Sequence, residues 1–380
     1  MLRTAPLPAG VPAALAAALT MHATASPAQQ PPDSVETQAG RIQVEALAEG
    51  LVHPWGMAFL PDGRMLVTER PGRLRILATD NTLSAPLDGV PKVFAQRQGG
   101  LLDVAIDPDF PSNHLIYLSF AEPGDGGAST ALGRGRLGDG RIEDFQVIFR
   151  QQPKVGGGNH FGGRIVFTDQ GTLFLTLGER FTFDPAQDTG NHLGTIVHLT
   201  HDGAPASSNP FLGDAQARDE IWSYGHRNIE SAALNPETGQ LWVAEMGPRG
   251  GDELNLPEPG GNYGWPVVSW GEHYDGGDIP DPPSRPEFAR SIRHWTPVIS
   301  PSGMVFYTGE AFPDWQGSLL IGGLSSQGLV RLELDGQTVT DEERIALGAR
   351  IRDVEQGPKG RVYVLTDQDD GGVWRLQPAN

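Results

Sequence analysis

The sequence predicts an all-β fold, a six-bladed β-propeller with four-stranded antiparallel blades, and three observations carry that reading. A hairpin unit recurs along the chain, sustained helical periodicity is absent, and the 50 Gly and 32 Pro residues are scattered without a period. Scattered Gly and Pro mark many tight turns between short strands, whereas a strict period would mark a collagen-like chain. The unit is an apolar stretch, a Pro/Asp/Gly turn and a second apolar strand. It runs from Gly56 to Val67, Val104 to Leu118, Ile165 to Leu175, Ala233 to Val243, Gly303 to Ile321 in a looser copy, and Val354 to Val364. These are about six copies at spacings of roughly 45 to 80 residues, the range of propeller blades with insertions.

Each copy reads as a hairpin joining two inner strands through an Asp-Gly or Pro-x-Gly turn. One blade alone leaves both faces bare; a ring of blades buries them and leaves only short edges. A β-sandwich array is the structural alternative, and the fixed turn chemistry and copy number favour the propeller. The connections from Thr182 to Gly190 and from Asn262 to Arg293 exceed hairpin loops. Long loops on a rigid scaffold are where function usually sits.

The N-terminus reads as a processing segment over residues 1–25. Arg3 supplies the positive region, Val11 to Met21 is a short apolar run, and Ala23-Thr24-Ala25 has small residues at a cleavage spacing. That is a secretory signal pattern, too short for a membrane-spanning helix, and a disordered tail is its plain alternative. Residues 26–40 read as a disordered Pro/Gln-rich segment, and 41–380 as the propeller. The mature protein is expected to be soluble, without a membrane span, and periplasmic or secreted.

The net charge of −19 disfavours nucleic acid as a partner, because an acidic surface repels phosphate backbones. Acidity suits a protein that binds a hard cation through oxygen ligands, and it also serves solubility alone. With no cysteine, thiol catalysis, disulfides and zinc–thiolate sites are excluded. Nucleophilic-serine, phosphate-loop and dinucleotide patterns are absent, and Gly156-Gly157-Gly158 is followed by no Lys-Ser/Thr.

Three polar clusters fall on different repeats. In Gly157-Gly158-Asn159-His160-Phe161-Gly162-Gly163-Arg164, glycines let a ligand approach the backbone and free His160 to leave a strand end. His160 suits a general base, while an isolated His is more often structural. Glu179 closes the paired strand, where a hairpin would bring it to His160 to fix its tautomer. Tyr224-Gly225-His226-Arg227-Asn228 offers a charged fork and an amide for carboxylates or carbonyls; a surface loop is the bland reading. Glu245 to Glu253, then Gly260 to Trp265, place acidic residues beside a Gly/Pro-bent backbone, the oxygen ligands calcium prefers. A generic acidic turn is the competing reading, and EF-hand spacing is missing.

Together these clusters resemble the soluble PQQ-dependent aldose sugar dehydrogenases, relatives of soluble glucose dehydrogenase. The likeness spans Gly50 to Leu376 and rests on motifs in order: His53-Pro54-Trp55-Gly56, Gln98-Gly99-Gly100-Leu101-Leu102-Asp103, the His160 cluster, Gly225-His226-Arg227-Asn228, Gly247 to Glu253, Asn262-Tyr263-Gly264-Trp265, and Arg350-Ile351-Arg352-Asp353. The resemblance implies a six-bladed propeller and two cofactors, PQQ and Ca2+. It implies that His160 takes the proton of the sugar's anomeric hydroxyl, with Glu179 as its acidic partner, and that Arg227 stabilises charge on the quinone. Gln98, Arg227, Asn228, Tyr274, Arg350 and Arg352 would contact the quinone, with Gln187 as the candidate for a further Gln. The carbonyls of Gly247 and Pro248 would hold one calcium, and Glu253 and Tyr263 a second. Where some relatives carry a cofactor Lys, this chain reads Gly322-Gly323-Leu324-Ser325-Ser326, so Leu324 and Ser325 occupy that contact and one charge is missing.

The implied activity is oxidation of an aldose to a lactone, with electrons passed to an external acceptor by a monomer or homodimer. Two alternatives stand beside it: a calcium-dependent propeller lactonase, and a non-catalytic propeller that binds glycans or a protein partner.

Overall fold

In a computed structural model, which describes Met1 and residues 29–379, six antiparallel sheets are arranged as successive blades. Their innermost strands are Pro54–Phe59, Leu101–Ile106, Gly162–Phe167, Ile229–Leu234, Pro301–Phe306 and Ile351–Gln356, which define blades 1 to 6 in that order. Each begins inside or just before one of the six sequence repeats. Each has its first four residues buried, because the sheet faces pack against neighbouring blades: innermost strands 1 and 2, 3 and 4, 4 and 5, and 5 and 6 are all in contact. The apolar clusters accordingly lie between blades, as where Leu66 and Leu74 of blade 1 meet Val104 and Leu118 of blade 2.

Four sheets have four strands, blade 1 has three and blade 6 has five. Blade 1 stops at Arg73–Leu77, and the chain then runs as a connection to Leu101 that keeps two isolated bridges, Leu77 to Leu83 and Asp88 to Arg141. That connection carries Gln98 to the ring's upper end. Blade 6 closes the ring. Its C-terminal strands Ile351–Gln356, Val362–Thr366 and Gly371–Pro378 are joined by Gly40–Leu51 from the N-terminal side, with Ile42 opposite Pro378 and Val44 opposite Leu376. Closure in this way removes the two edges an open array would expose.

The expected disordered segment 26–40 is corrected in part. Ser34–Thr37 is a strand paired with Gly40–Leu51, Val35 lying opposite Ile42. Its period-two alternation and a turn at Gln38-Ala39 before Gly40, at φ +102°, are a hairpin signal that the Pro/Gln-rich surroundings obscured. The signal-peptide reading of residues 1–25 lies outside the described residues apart from Met1. Among the described residues no helix is long and apolar enough to cross a membrane.

Candidate active site

The blade registers fix where the site forms. The innermost strand of each blade begins opposite Glu69, Phe120, Leu177, Glu245, Gly323 and Thr366 in turn. The residues that follow these six are Arg70, Ala121, Gly178, Met246, Leu324 and Asp367. Arg70, Met246, Leu324 and Asp367 all line one cavity of about 460 Å³, together with His53, Gln98, His160, Arg227, Glu230, Gly247, Pro248, Tyr274, Arg350 and Arg352. Strand ends from different blades thus converge on one pocket at the end of the ring.

His160 sits at φ +53°, a strained left-handed position just before blade 3. Its backbone N–H donates to Gln98 Oε1 at 2.6 Å, and its carbonyl accepts from Arg180 N–H at 3.2 Å. Gly178 makes that approach feasible, since a Cβ there would lie 2.1 Å from the His160 carbonyl oxygen. The His160 ring donates from Nδ1 to Glu179 Oε1 at 2.5 Å, which leaves Nε2 as the basic nitrogen of the neutral imidazole. Glu179 is fully buried, and its other oxygen accepts the N–H groups of Thr182 and Phe183, the latter at 2.8 Å. The loop bends tightly enough to do this by placing Arg180, Phe181 and Phe183 at φ +62°, +63° and +66°. The Phe181 ring then stands edge-on to the His160 ring, 5.1 Å between centroids.

Burial, and then the Arg227 charge, hold the His160 imidazole below its usual range, with Glu179 pulling it the other way. Burial alone would raise the Glu179 carboxyl; the hydrogen bond and charge of His160, the Phe183 N–H and Arg227 bring it below the ordinary carboxylate range. The pair therefore stays as carboxylate and neutral imidazole at neutral pH.

Opposite stands Arg227, donating to the Met246 and Gly247 carbonyls at 2.9 and 2.8 Å and to the Tyr274 hydroxyl at 3.1 Å. Its Nε is buried without a partner. On the blade 6 side, Arg352 bonds Glu230 and Asp367, the latter at 2.6 Å, and Arg350 reaches Asp367 at 3.4 Å. His53 donates a further contact to Asp367 at 2.8 Å. Burial would raise the Asp367 carboxyl, yet Arg352, His53 and Arg70 drive it far below the usual range.

Not every candidate read from the sequence reaches the cavity wall. Asn228 is fully buried behind it, accepting from Gly162 N–H at 3.1 Å and donating to Glu230 at 3.1 Å. Gln187 exchanges two hydrogen bonds with Asn262, at 3.0 and 2.9 Å, and donates to the Trp265 carbonyl, so it braces the long loop. Ser325 donates to the Val298 carbonyl and bonds Ser300, while its neighbour Leu324 lines the cavity. Conversely, Arg70, Glu230 and Asp367 are wall residues that the motifs did not single out. Their shared signal is the position just after a blade's second strand, or at the start of its first.

The residues fit the implied groups in different ways. Four arginines, 70, 227, 350 and 352, face one cavity with an unpartnered Arg227 Nε, a set suited to a planar ligand bearing several carboxylates. The Gly247 and Pro248 carbonyls line the same cavity, although Gly247 O also accepts from Arg227. Behind them a cavity of about 20 Å³, room for about one water-sized occupant, is bordered by Glu245, Glu253 and Tyr263. Burial and then the Glu245 charge push the Glu253 carboxyl up to about 8, the penalty a divalent cation would relieve. The Tyr263 hydroxyl itself donates to the Leu256 carbonyl at 2.5 Å. Among the described residues no three His, Cys, Asp or Glu side chains form a metal cluster, so a cation here would need main-chain oxygens.

Comparison with known proteins gives the family of the chain. The family model described as Glucose / Sorbosone dehydrogenase matches residues 51–375. The chain is 46% identical over 349 residues to the aldose sugar dehydrogenase YliI of Escherichia coli K12, covering 89% of this chain and 94% of that one. The apo-form crystal structure of the soluble aldose sugar dehydrogenase from Escherichia coli superposes with TM-score 0.85 at 45% identity, covering 89% of this chain and all of that one. The PQQ-bound aldose sugar dehydrogenase of Streptomyces coelicolor gives TM-score 0.74 at 29% identity, over 92% and 99% of the two chains. By sequence and by fold, this chain belongs to the glucose/sorbosone dehydrogenase family.

Proposed function

We propose that this protein oxidises aldose sugars at the anomeric carbon to lactones, using PQQ and calcium bound in the axial pocket and His160 as the base. The observation that carries the reading is the 2.5 Å Glu179–His160 pair set in an arginine-lined cavity. The quinone and the aldose come from the relatives: one family member's structure is PQQ-bound and another is named an aldose sugar dehydrogenase.

When bound, PQQ supplies the two-electron oxidant and calcium a Lewis acid. The remaining work belongs to side chains. Glu179 holds His160 in one tautomer, and Nε2 takes the anomeric hydroxyl proton as the C–H bond gives up its hydride. Arg227 would offer a fixed positive charge to the oxygen that becomes negative. Arg70, Arg350 and Arg352 hold carboxylates, with Gln98, Tyr274 and Leu324 completing the wall. Asn228 and Ser325 act from behind it, and Gln187 through the long loop. Glu253 and the Tyr263 segment belong to a second, structural calcium. The N-terminal signal pattern adds export to the periplasm or medium.

The test uses the chain from Gln29, purified free of cofactor. Added PQQ and calcium are expected to give aldose-dependent reduction of an artificial dye with a lactone as product, and calcium omission to abolish it. Absence of dye reduction with every aldose tried overturns the proposal, and calcium-dependent hydrolysis of lactones in its place would assign the site to a lactonase.

A further inference from the structure

Below the pocket the Arg164 side chain crosses the ring from blade 3 to blade 6. All six innermost strands carry a register shift near their start, between Pro54 and Met57, Leu101 and Val104, Gly162 and Ile165, Ile229 and Ser231, Pro301 and Met304, and Ile351 and Asp353. Bulges of this kind re-aim side chains. In blade 3 the bulge holds Arg164, only 5% exposed. Its guanidinium pairs with Asp103 of blade 2 at 3.2 Å and, across the ring, with Asp353 of blade 6 at 2.9 Å. It donates to the Glu230 carbonyl of blade 4 at 2.8 Å and the Arg352 carbonyl of blade 6 at 3.1 Å, and lies 4.3 Å over the Trp55 ring of blade 1. Two glycines leave room: a Cβ at Gly56 would lie 2.6 Å from Asp103 Oδ1, and one at Gly303 would lie 2.0 Å from Asp353 Oδ1.

We infer that Arg164 is a positioning residue for the active site, spanning the ring axis and fixing Glu230 and Arg352 as the floor on which the cofactor rests. The inference rests on the reading of the pocket as a cofactor site. Filling the axis would not require an arginine, since apolar side chains of similar volume often replace buried ion pairs without loss of stability. What the planar fork adds is geometry: it is hydrogen-bonded at once to Asp103 and to the main-chain oxygens of the two floor residues, and ion-paired with Asp353. The floor residues are themselves an ion pair, so a shift of either backbone moves both charges under the ligand.

Arg164→Met alone leaves Asp103 and Asp353 buried without a cation and is expected to lose much of its stability. The test therefore removes all three charges, in Arg164→Met combined with Asp103→Asn and Asp353→Asn. The variant is expected to unfold cooperatively near the wild-type Tm, to bind PQQ in calcium buffer at least about 10-fold more weakly by fluorescence quenching, and to exchange the amide hydrogens of 229–231 and 351–353 faster in the cofactor-free state. A folded variant with wild-type Kd and wild-type exchange overturns the inference. Failure of the wild type to bind PQQ sinks the proposed function instead, and the exchange comparison then decides this inference alone. If the triple variant does not fold, Arg164→Lys keeps the charge and loses the fork: weaker PQQ binding at near-native Tm supports the role, and unchanged Kd overturns it.

Discussion

At the scale of single residues, the site is an exercise in holding one imidazole neutral and aimed. Burial and Arg227 lower the His160 pKa while Glu179 opposes them, so the imidazole is neutral at neutral pH, as the proposed base requires. Activity is therefore expected to be present above the His160 pKa and lost as pH falls through it, with the acid limb of kcat/KM below the ordinary imidazole value of about 6.5. Arg227→Met removes a repelling charge, and its acid limb is expected at higher pH, whatever else it costs; a limb that stays in place would detach Arg227 from His160. Glu179→Gln removes the partner that raises the pKa and should move the limb lower, with a fall in kcat from lost orientation. Legibility at this scale was uneven. His160 stood out because glycines flank its cluster on both sides, and Glu179 because hairpin pairing places it near. Arg70 and Asp367 resemble surface residues in sequence, and become wall residues only when the registers of blades 1 and 6 align.

Among the elements, the inner hairpins and the loop 179–183 set the geometry. The loop wraps the Glu179 carboxylate with its own N–H groups, at the cost of three left-handed residues. Gly178 lies between this loop and the strand that ends at Leu177. Gly178→Ala drives a methyl against the His160 carbonyl and the Asn228 amide, and is expected to cost about 1–3 kcal/mol in urea unfolding while lowering kcat. A variant with native stability and native kcat would show that His160 tolerates displacement. The repeats placed every inner hairpin, since apolar runs and turn residues are local signals. The three-stranded blade 1 and the strand Ser34–Thr37 were not legible: one depends on a connection that bonds its blade only at isolated points, the other on a partner strand within Pro/Gln-rich surroundings.

For the whole molecule, closure of the ring links the two ends of the chain to the pocket. Gly40–Leu51 completes blade 6, the blade that supplies Arg350, Arg352 and Asp367. A chain beginning at Gln29 is expected to fold and bind PQQ, whereas one beginning at Val52 leaves Gly371–Pro378 an open edge and should aggregate or melt far earlier. Native melting and PQQ binding by the shorter chain would remove closure from the account. Fold and family were legible together because six local hairpins and an ordered set of motifs point the same way. The arginine axis at Arg164 was not, because its partners lie on four other blades.

The central claim is that His160 removes a proton while a bound quinone takes the hydride. It is tested most directly by anaerobic mixing of the PQQ- and calcium-loaded protein with one equivalent of aldose, following the cofactor's absorbance in the wild type and in His160→Gln. The account predicts equal PQQ affinity in both, rapid reduction in the wild type, and reduction slower by about 10²–10⁴-fold in the variant. Equal rates in the two proteins, or no reduction of the wild type by any aldose, would contradict it.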